Sequence, residues 1–418
     1  MIHLEYIAIM PPVKRKTAPR RPQRTVKSKT AAAGRKKTTA KPRTKRTPKQ
    51  AKPSKRPELL RKHEGNPIIE PRPHLSWESK ATFNPGAIEL NDKIHLLYRA
   101  IGDEDISVVG HAVSSDGLTI DSRSDMPAYV PEIIPYAKQR ISARAPGVSS
   151  GVYVSGGGTW GGAEDPRVTH IKEDNALYML YVAFDGWSPP RVALTSIDVK
   201  NFLAEQWDTW AKTKIISMPP EELAKDPRFK DVVDKNACLL PEKINGKYVI
   251  FHRIYPDILV DFVDNLDFEN EYLKGEHKIS PRPGYWDSRK VGAGAPPIKT
   301  KDGWLLIYQA VGNQDPGRYK IGAMLLDLAD PTKVLYRSNE PVLVPEEWYE
   351  NSGWKYGVVY PCGAIAKNGT LFVYYGGADS VVCVATADLD DFLTRLKKDG
   401  LPKLTPELKS KTLKYAGR

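Results

Sequence analysis

One pattern recurs five times between residues 60 and 400, and it limits the fold more than any other feature of the chain. Each copy is a strand of small residues, a polar turn, an apolar strand carrying an aromatic, and a further short β segment. The first pairs Gly86-Ala87-Ile88-Glu89-Leu90 with Ile94-His95-Leu96-Leu97-Tyr98-Arg99, and the second pairs Arg167-Val168-Thr169 with Leu177-Tyr178-Met179-Leu180-Tyr181-Val182. The third pairs Ala237-Cys238-Leu239-Leu240 with Tyr248-Val249-Ile250-Phe251-His252-Arg253. Ala295-Pro296-Pro297-Ile298 with Trp304-Leu305-Leu306-Ile307-Tyr308, and Cys362-Gly363-Ala364-Ile365 with Leu371-Phe372-Val373-Tyr374-Tyr375, complete the set. Asn91-Asp92, Asn245-Gly246, Asp302-Gly303 and Asn368-Gly369 stand between paired runs; Asn-Gly and Asp-Gly in that position are the strongest short hairpin signals. The aromatics Tyr98, Tyr181, Phe251, Tyr308 and Tyr374 lie 83, 70, 57 and 66 residues apart, room for one four-stranded sheet plus loops per copy. The repeat predicts an all-β fold, a five-bladed β-propeller closed so that no blade leaves a long open edge. Helical signal is confined to residues 219–223 and 389–398, with Asp390 as an alternative cap for the second.

The formal net charge of +13 hides two regions of opposite character. Residues 1–60 hold 19 of the 63 Lys and Arg but only two of the 50 acids, Glu5 and Glu58, which leaves 44 basic against 48 acidic residues in the remainder. Three regions follow: a disordered Lys/Arg/Pro-rich tail over 1–60, a propeller domain over 61–400 and a C-terminal extension over 401–418. The tail has nothing to bury and repels itself. It is either an electrostatic tether to nucleic acid or another polyanion, or a solvated extension with no dedicated partner. The first ten residues are too short for a membrane helix and make a poor signal peptide; no other run approaches a membrane span. Cys238, Cys362 and Cys383 are few, far apart and without metal spacing, which suits reduced, buried thiols and a cytoplasmic setting.

The chemistry centres on Gly161-Gly162-Ala163-Glu164-Asp165-Pro166-Arg167, two adjacent carboxylates at the start of a strand after the glycine-rich loop 151–162. Pro166 restricts its predecessor and favours an extended Asp165, and an extended backbone sends Glu164 and Asp165 to opposite sides. A simple Asp-Pro turn is the competing reading. In a propeller the innermost strands surround a channel, so polar groups at equivalent places converge on one mouth. These are Asn84 and Arg99, Asp165 and Arg191, Lys235, His252 and Arg253, Tyr308 and Gln309, and Tyr360 and Asp379. Carboxylates and cations in one cleft suit a polyol together with an anion. His252 is equally read as a hydrogen-bonded structural histidine, and Tyr308 as core.

From residue 66 to 393 the chain resembles glycoside hydrolase family 130, the β-mannoside phosphorylases and related β-mannosidases. The resemblance rests on Phe83-Asn84-Pro85-Gly86-Ala87, Leu97-Tyr98-Arg99-Ala100, Glu164-Asp165-Pro166-Arg167, Arg191-Val192-Ala193-Leu194-Thr195-Ser196, Lys235-Asn236, Phe251-His252-Arg253, Lys290-Val291-Gly292-Ala293-Gly294 and Tyr374-Tyr375-Gly376-Gly377-Ala378-Asp379. It implies a five-bladed propeller and inverting cleavage of a β-mannosidic bond, with Asp165 as general acid acting through a mannose hydroxyl. It places Asn84, Arg99 and Asp379 on the mannose, and Arg191, Lys235, His252 and Arg253 on phosphate. Inorganic phosphate is then a co-substrate, with no cofactor or metal, and α-mannose 1-phosphate the product. Phosphate is already an anion and needs only cations to hold it, whereas an inverting hydrolase needs a second carboxylate to activate water. Asp257 and Asp234 are the candidates for that carboxylate. A non-catalytic carbohydrate-binding propeller is the remaining alternative. The loop 139–145 is expected to line the acceptor side, and a homo-oligomer is open.

Overall fold

The computed structural model describes residues 59–132, 161–186, 188–269 and 271–399. The basic tail up to residue 58, the loop 139–145, most of the glycine-rich run and the C-terminal extension lie outside the described residues. Strands dominate and helices are few, but short helices also form at Val199–Leu203 and Trp348–Asn351, so the expectation of helix only at 219–223 and 389–398 is corrected. A two-residue strand β1 (Arg61–Lys62) precedes the first repeat unit, which is β2 (Ala81–Leu90), β3 (Lys93–Ile101), β4 (Ile106–Ser114) and β5 (Ser122–Arg123). The second is β6 (Gly161–Ile171), β7 (Ala176–Phe184), β8 (Arg191–Asp198) and β9 (Lys214–Ile215). The third is β10 (Asp234–Leu239), β11 (Tyr248–Ile254), β12 (Asp257–Val263) and β13 (His277–Ile279). The fourth comprises β14 (Lys290–Ala293), β15 (Ile298–Thr300), β16 (Gly303–Val311), β17 (Lys320–Leu326) and β18 (Val334–Arg337). The fifth is β19 (Val359–Lys367), β20 (Thr370–Gly377) and β21 (Val381–Asp388). Pairing within each unit is antiparallel.

Two connections depart from five separate sheets. The first and second units share one eight-stranded sheet through a short parallel bridge, Ile106 to Gly161 and Ser107 to Gly162. The fifth unit gains its fourth strand from the beginning of the chain, where β1 pairs antiparallel with β21. Three of the hairpins behave as their residues dictate: Asn91 and Asp92 take φ of 51° and 60°, Asn245 and Gly246 take 51° and 81°, and Asn368 and Gly369 take 50° and 76°. Left-handed values at both central positions match the twist of the flanking strands. In the fourth unit the expected Asp302-Gly303 turn is corrected to Lys301-Asp302, since Thr300 pairs with Gly303, which opens the strand.

The long apolar runs are buried on both faces, and alternation divides their residues between two neighbours. In β16, Leu305 and Ile307 pack with Val373 and Tyr375 of the fifth unit, while Trp304, Leu306 and Tyr308 pack with Val249 and Phe251 of the third. In β11, Ile250 turns instead to Leu180 and Val192 of the second unit. Leu97 of β3 joins Met179 and Tyr181, while Leu96 and Tyr98 join Phe372 and Tyr374 of the fifth. The clusters therefore link first to second, second to third, third to fourth, fourth to fifth, and fifth back to first. The final helix, Leu389–Asp399, buries Phe392, Leu393 and Leu396 on the last of these units. Its cap is Asp388, whose Oδ1 accepts the Asp391 N–H at 2.8 Å, the usual reach from a capping side chain to the third helical residue. Asp390 lies in the first turn and pairs with Lys301 at 2.8 Å, so the alternative cap is corrected.

Candidate active site

The first strand of a unit carries the same irregularity again and again. Register shifts fall between Phe83 and Gly86, Glu164 and Arg167, Lys235 and Cys238, and Pro361 and Gly363. In three of them the extra residue is Asn or Asp in the left-handed region: Asn84 at φ 50°, Asp165 at 52° and Asn236 at 59°. Asn and Asp tolerate that conformation best among residues with a Cβ, and a bulge re-aims side chains beside functional sites. The expectation of an extended Asp165 is corrected here. The left-handed residue interrupts the two-residue alternation, so Glu164 and Asp165 line the same cavity instead of facing opposite ways. Lys235 and Asn236 share it for the same reason.

That cavity holds about 240 Å³ and draws on every unit: Asn84 and Arg99, then Glu164 and Asp165, then Lys235, Asn236 and Arg253, then Lys290 and Tyr319, then Tyr360 and Asp379. Arg99 is fully buried. Its Nε donates to Ser107 Oγ at 2.8 Å, its Nη1 to Asp165 Oδ1 at 3.2 Å, and its Nη2 pairs with Glu164 Oε1 at 3.4 Å. Asn84 Nδ2 donates to the same Asp165 oxygen at 2.7 Å. Gly376 is required opposite Asn84, because a Cβ there would stand 2.0 Å from Asn84 Oδ1. Behind the bulge, Arg167 donates from Nη1 to the Asp165 carbonyl and from Nε to the Gly294 carbonyl, both at 2.8 Å. It locks the strained backbone to the fourth unit.

Another part of the lining is cationic. Arg253 Nε donates to Asn236 Oδ1 at 2.7 Å, and Asn236 Nδ2 donates to the Tyr360 hydroxyl. Lys290 Nζ donates to the Tyr319 hydroxyl at 2.6 Å, and Lys355 Nζ stands 4.3 Å from the centre of the Tyr319 ring. Burial by itself raises the Tyr319 phenol, but Lys290, Lys355 and Arg253 outweigh it and bring it down to about 8. Burial pushes Lys235 and Lys290 below the usual lysine value, and Arg253 adds to this in both. Burial also raises Asp165, yet Arg99, Arg167, the Asn84 hydrogen bond and Lys235 together hold it below the ordinary carboxylate value. Among the described residues, no group of three or more His, Cys, Asp or Glu is placed to hold a metal ion.

Of the residues singled out in the sequence, Asn84, Arg99, Asp165, Asp379, Lys235 and Arg253 line the cavity, with Gln309 and Tyr360. His252 and Arg191 do not. His252 is wholly buried, with Nδ1 2.8 Å from Asp234 Oδ1 and Nε2 3.0 Å from Asp261 Oδ2. It shares the face of Ile250 toward the second unit, while Arg253 takes the other face and reaches the cavity, as alternation along the strand requires. Arg191 opens β8, one strand out from the β6–β7 hairpin, and lies off the cavity wall. Tyr308 is core, its hydroxyl donating to Asp287 Oδ2 at 2.9 Å. Asp234 is held by His252, and Asp257 does not line the cavity. Tyr319 and Lys355 escaped sequence reasoning because they lie outside the repeat pattern. Lys290 sat in a quoted motif, where its place on the first strand of its unit was the available signal.

A family model of glycoside hydrolase family 130, described as beta-1,4-mannooligosaccharide phosphorylase, matches residues 59–398. The chain is 38% identical over 341 residues to the 1,2-beta-oligomannan phosphorylase of Thermoanaerobacter sp. (strain X514), which covers 79% of this chain and 98% of that protein. It is 38% identical over 338 residues to a beta-1,2-mannobiose phosphorylase of the same strain, covering 77% and 95%. The solved structure of a beta-1,2-mannobiose phosphorylase from Listeria innocua, in complex with beta-1,2-mannobiose, matches with a TM-score of 0.60 and 25% identity. That match covers 81% of this chain and 99% of the other.

Proposed function

Because the chain belongs to glycoside hydrolase family 130, we propose that it is a β-mannoside phosphorylase acting on β-1,2-linked manno-oligosaccharides. It transfers a mannosyl unit to inorganic phosphate with inversion, giving α-mannose 1-phosphate. The observation that carries the reading is one cavity that holds a carboxylate cluster around Arg99 together with Lys235, Arg253, Lys290 and Lys355. The choice of β-1,2 follows the two Thermoanaerobacter relatives, both named for such substrates.

In this reading Asn84, Arg99 and Asp379 hold the mannose, and the cationic wall holds phosphate in line with its C1. A phosphate oxygen forms the new bond to C1 as the bond from C1 to the leaving oxygen breaks. The Asp165 proton passes through a mannose hydroxyl to the leaving oxygen. Phosphate needs no base, and Lys235, Arg253, Lys290 and Lys355 in one cavity offer an anion the cations it needs, which favours phosphorolysis over hydrolysis; neither carboxylate weighed for activating water, Asp234 or Asp257, lines it. In the free protein Asp165 is held below the ordinary carboxylate value, and a phosphate dianion beside Lys235 works against that depression, toward the protonated form the scheme needs. Phosphate is the co-substrate and no cofactor takes part.

We read the five units as blades of one closed propeller. In support, β2 lies against both β6 and β19, β10 lies against β6 and β14, and the apolar clusters run from the fifth unit back to the first. A cytoplasmic setting belongs to the same proposal and agrees with Cys238, Cys362 and Cys383 as buried free thiols.

The test is incubation with β-1,2- and β-1,4-mannobiose, with and without phosphate. α-Mannose 1-phosphate formed only with phosphate, and faster from the β-1,2 isomer, is the expected result. Free mannose at equal rates in both conditions would overturn phosphorolysis, and binding without turnover would make the chain a lectin. A second expectation concerns pH. Below about 8 Tyr319 is a neutral donor; above it, a phenolate repels phosphate. The phosphate KM of the wild type should climb above pH 8, and Tyr319→Phe should remove the part of that rise that the phenolate causes.

A further inference from the structure

We propose that Trp354 and Tyr356 form an aromatic platform for the leaving-group side of manno-oligosaccharides longer than a disaccharide, a subsite that rests on the phosphorylase reading above. The cavity of about 240 Å³ is smaller than the roughly 300–1,000 Å³ usual for ligand pockets. On the phosphorylase reading it takes the two sugars that flank the cleaved bond and the phosphate, and every further sugar lies outside it.

Lys355 and Val358 line the cavity, and Trp354 and Tyr356 flank Lys355 in sequence. Residues 352–357 are bends and a turn, outside any strand, so neighbouring side chains are not forced to opposite sides. Trp354 is 53% exposed and Tyr356 65% exposed, although aromatic side chains of this size are usually well buried. The segment is also firmly held. The Trp354 N–H donates to Ser380 Oγ at 3.1 Å and the Lys355 N–H to the Ala378 carbonyl at 3.0 Å, on either side of the cavity residue Asp379. The Gly357 carbonyl accepts the Tyr319 N–H at 3.0 Å, and Gly357 and Val358 both donate to the Glu350 carbonyl at 3.1 Å. The Arg318 guanidinium lies 6.0 Å from the Tyr356 ring centre. Two exposed rings on a braced backbone, continuous with the sugar-holding wall, are pre-ordered for binding. The C–H-lined faces of pyranose rings are the chemistry such rings accept, offering apolar area without charge.

The test compares wild type with Trp354→Ala/Tyr356→Ala, and with Trp354→Phe, at saturating phosphate. Substrates are β-1,2-mannobiose, -triose and -tetraose. The double variant should lose about tenfold in kcat/KM on the triose and tetraose, the scale of one or two aromatic contacts, and about twofold or less on the biose. Trp354→Phe should retain most of the preference for longer chains. In an Asp165→Asn background, calorimetric titration should show tetraose binding tighter than biose, and the double variant should remove that difference. Equal losses on all three substrates, no loss on any, or a changed oligomeric state with unaltered chain-length preference would each overturn the platform. Absence of α-mannose 1-phosphate from the wild type would instead reject the phosphorylase reading, and the titration would still decide the platform.

Discussion

Asp165→Asn is expected to lower kcat for phosphorolysis by about 10²–10⁴-fold, the usual contribution of a positioned acid, with the fold intact. The side chain keeps its shape, the Asn84 contact and its place at the bulge. Arg99 keeps Glu164 as an ion-pair partner at 3.4 Å, so no buried guanidinium is left without a carboxylate. Phosphate affinity should hold or rise, because a negative charge beside Lys235 is removed. Stopped assays of α-mannose 1-phosphate release, with phosphate KM measured in parallel, check both points. A variant within about threefold of wild type in kcat would remove Asp165 from the acid role. Glu164 lines the same cavity, so Glu164→Gln is the informative companion. A larger loss there than at Asp165 would exchange their roles.

The second large effect falls on stability. His252→Ala is expected to destabilise the fold by about 3–5 kcal/mol, the scale for removing one partner from a buried ion pair. It leaves Asp234 and Asp261 buried without the cation between them. Burial alone lowers this imidazole, but Asp234 and Asp261 outweigh it and raise it to about 10. A raised folded-state value means that the charged form stabilises the fold fully below the ordinary histidine value of 6.5, and that this contribution fades as pH rises toward 10. Urea midpoints of the wild type should therefore fall between pH 6.5 and 10, and His252→Gln should flatten that slope. If His252→Ala instead folded with an unchanged midpoint and a weakened phosphate KM, the structural role would be wrong and a direct phosphate contact would return.

His252 and Arg253 show what kind of information a strand sequence contains. Both are polar residues at the end of an apolar run, and both sit where the ends of several units converge. Period-two alternation guarantees that only one of them faces a given neighbour. Which one depends on how the unit is seated between the second and fourth, and that is a matter of contacts far away in sequence. Asp165 failed for a different reason. Pro166 argued locally for an extended predecessor, yet the Arg167 bonds to the Asp165 and Gly294 carbonyls hold a left-handed residue there. The recurrence of Asn or Asp at the same place in three units was the readable hint, since these residues enter that region most easily. Tyr319 and Lys355 had no such hint, because loops between units follow no period.

The order of residues alone determined the number of hairpin units, the turns within most of them, two of the four α-helices among the described residues, and eight of the eleven polar side chains expected at one mouth. These follow from local rules: turn dipeptides with left-handed backbone, and apolar runs long enough to be covered on both faces. Tertiary structure alone decided that Glu164 and Asp165 share one cavity, that His252 is braced between two carboxylates, and that a tyrosine completes the cationic wall. A bulge changes side-chain direction through strand pairing, and a cluster of like charges exists only once distant segments meet. Neither is a property of any window of sequence.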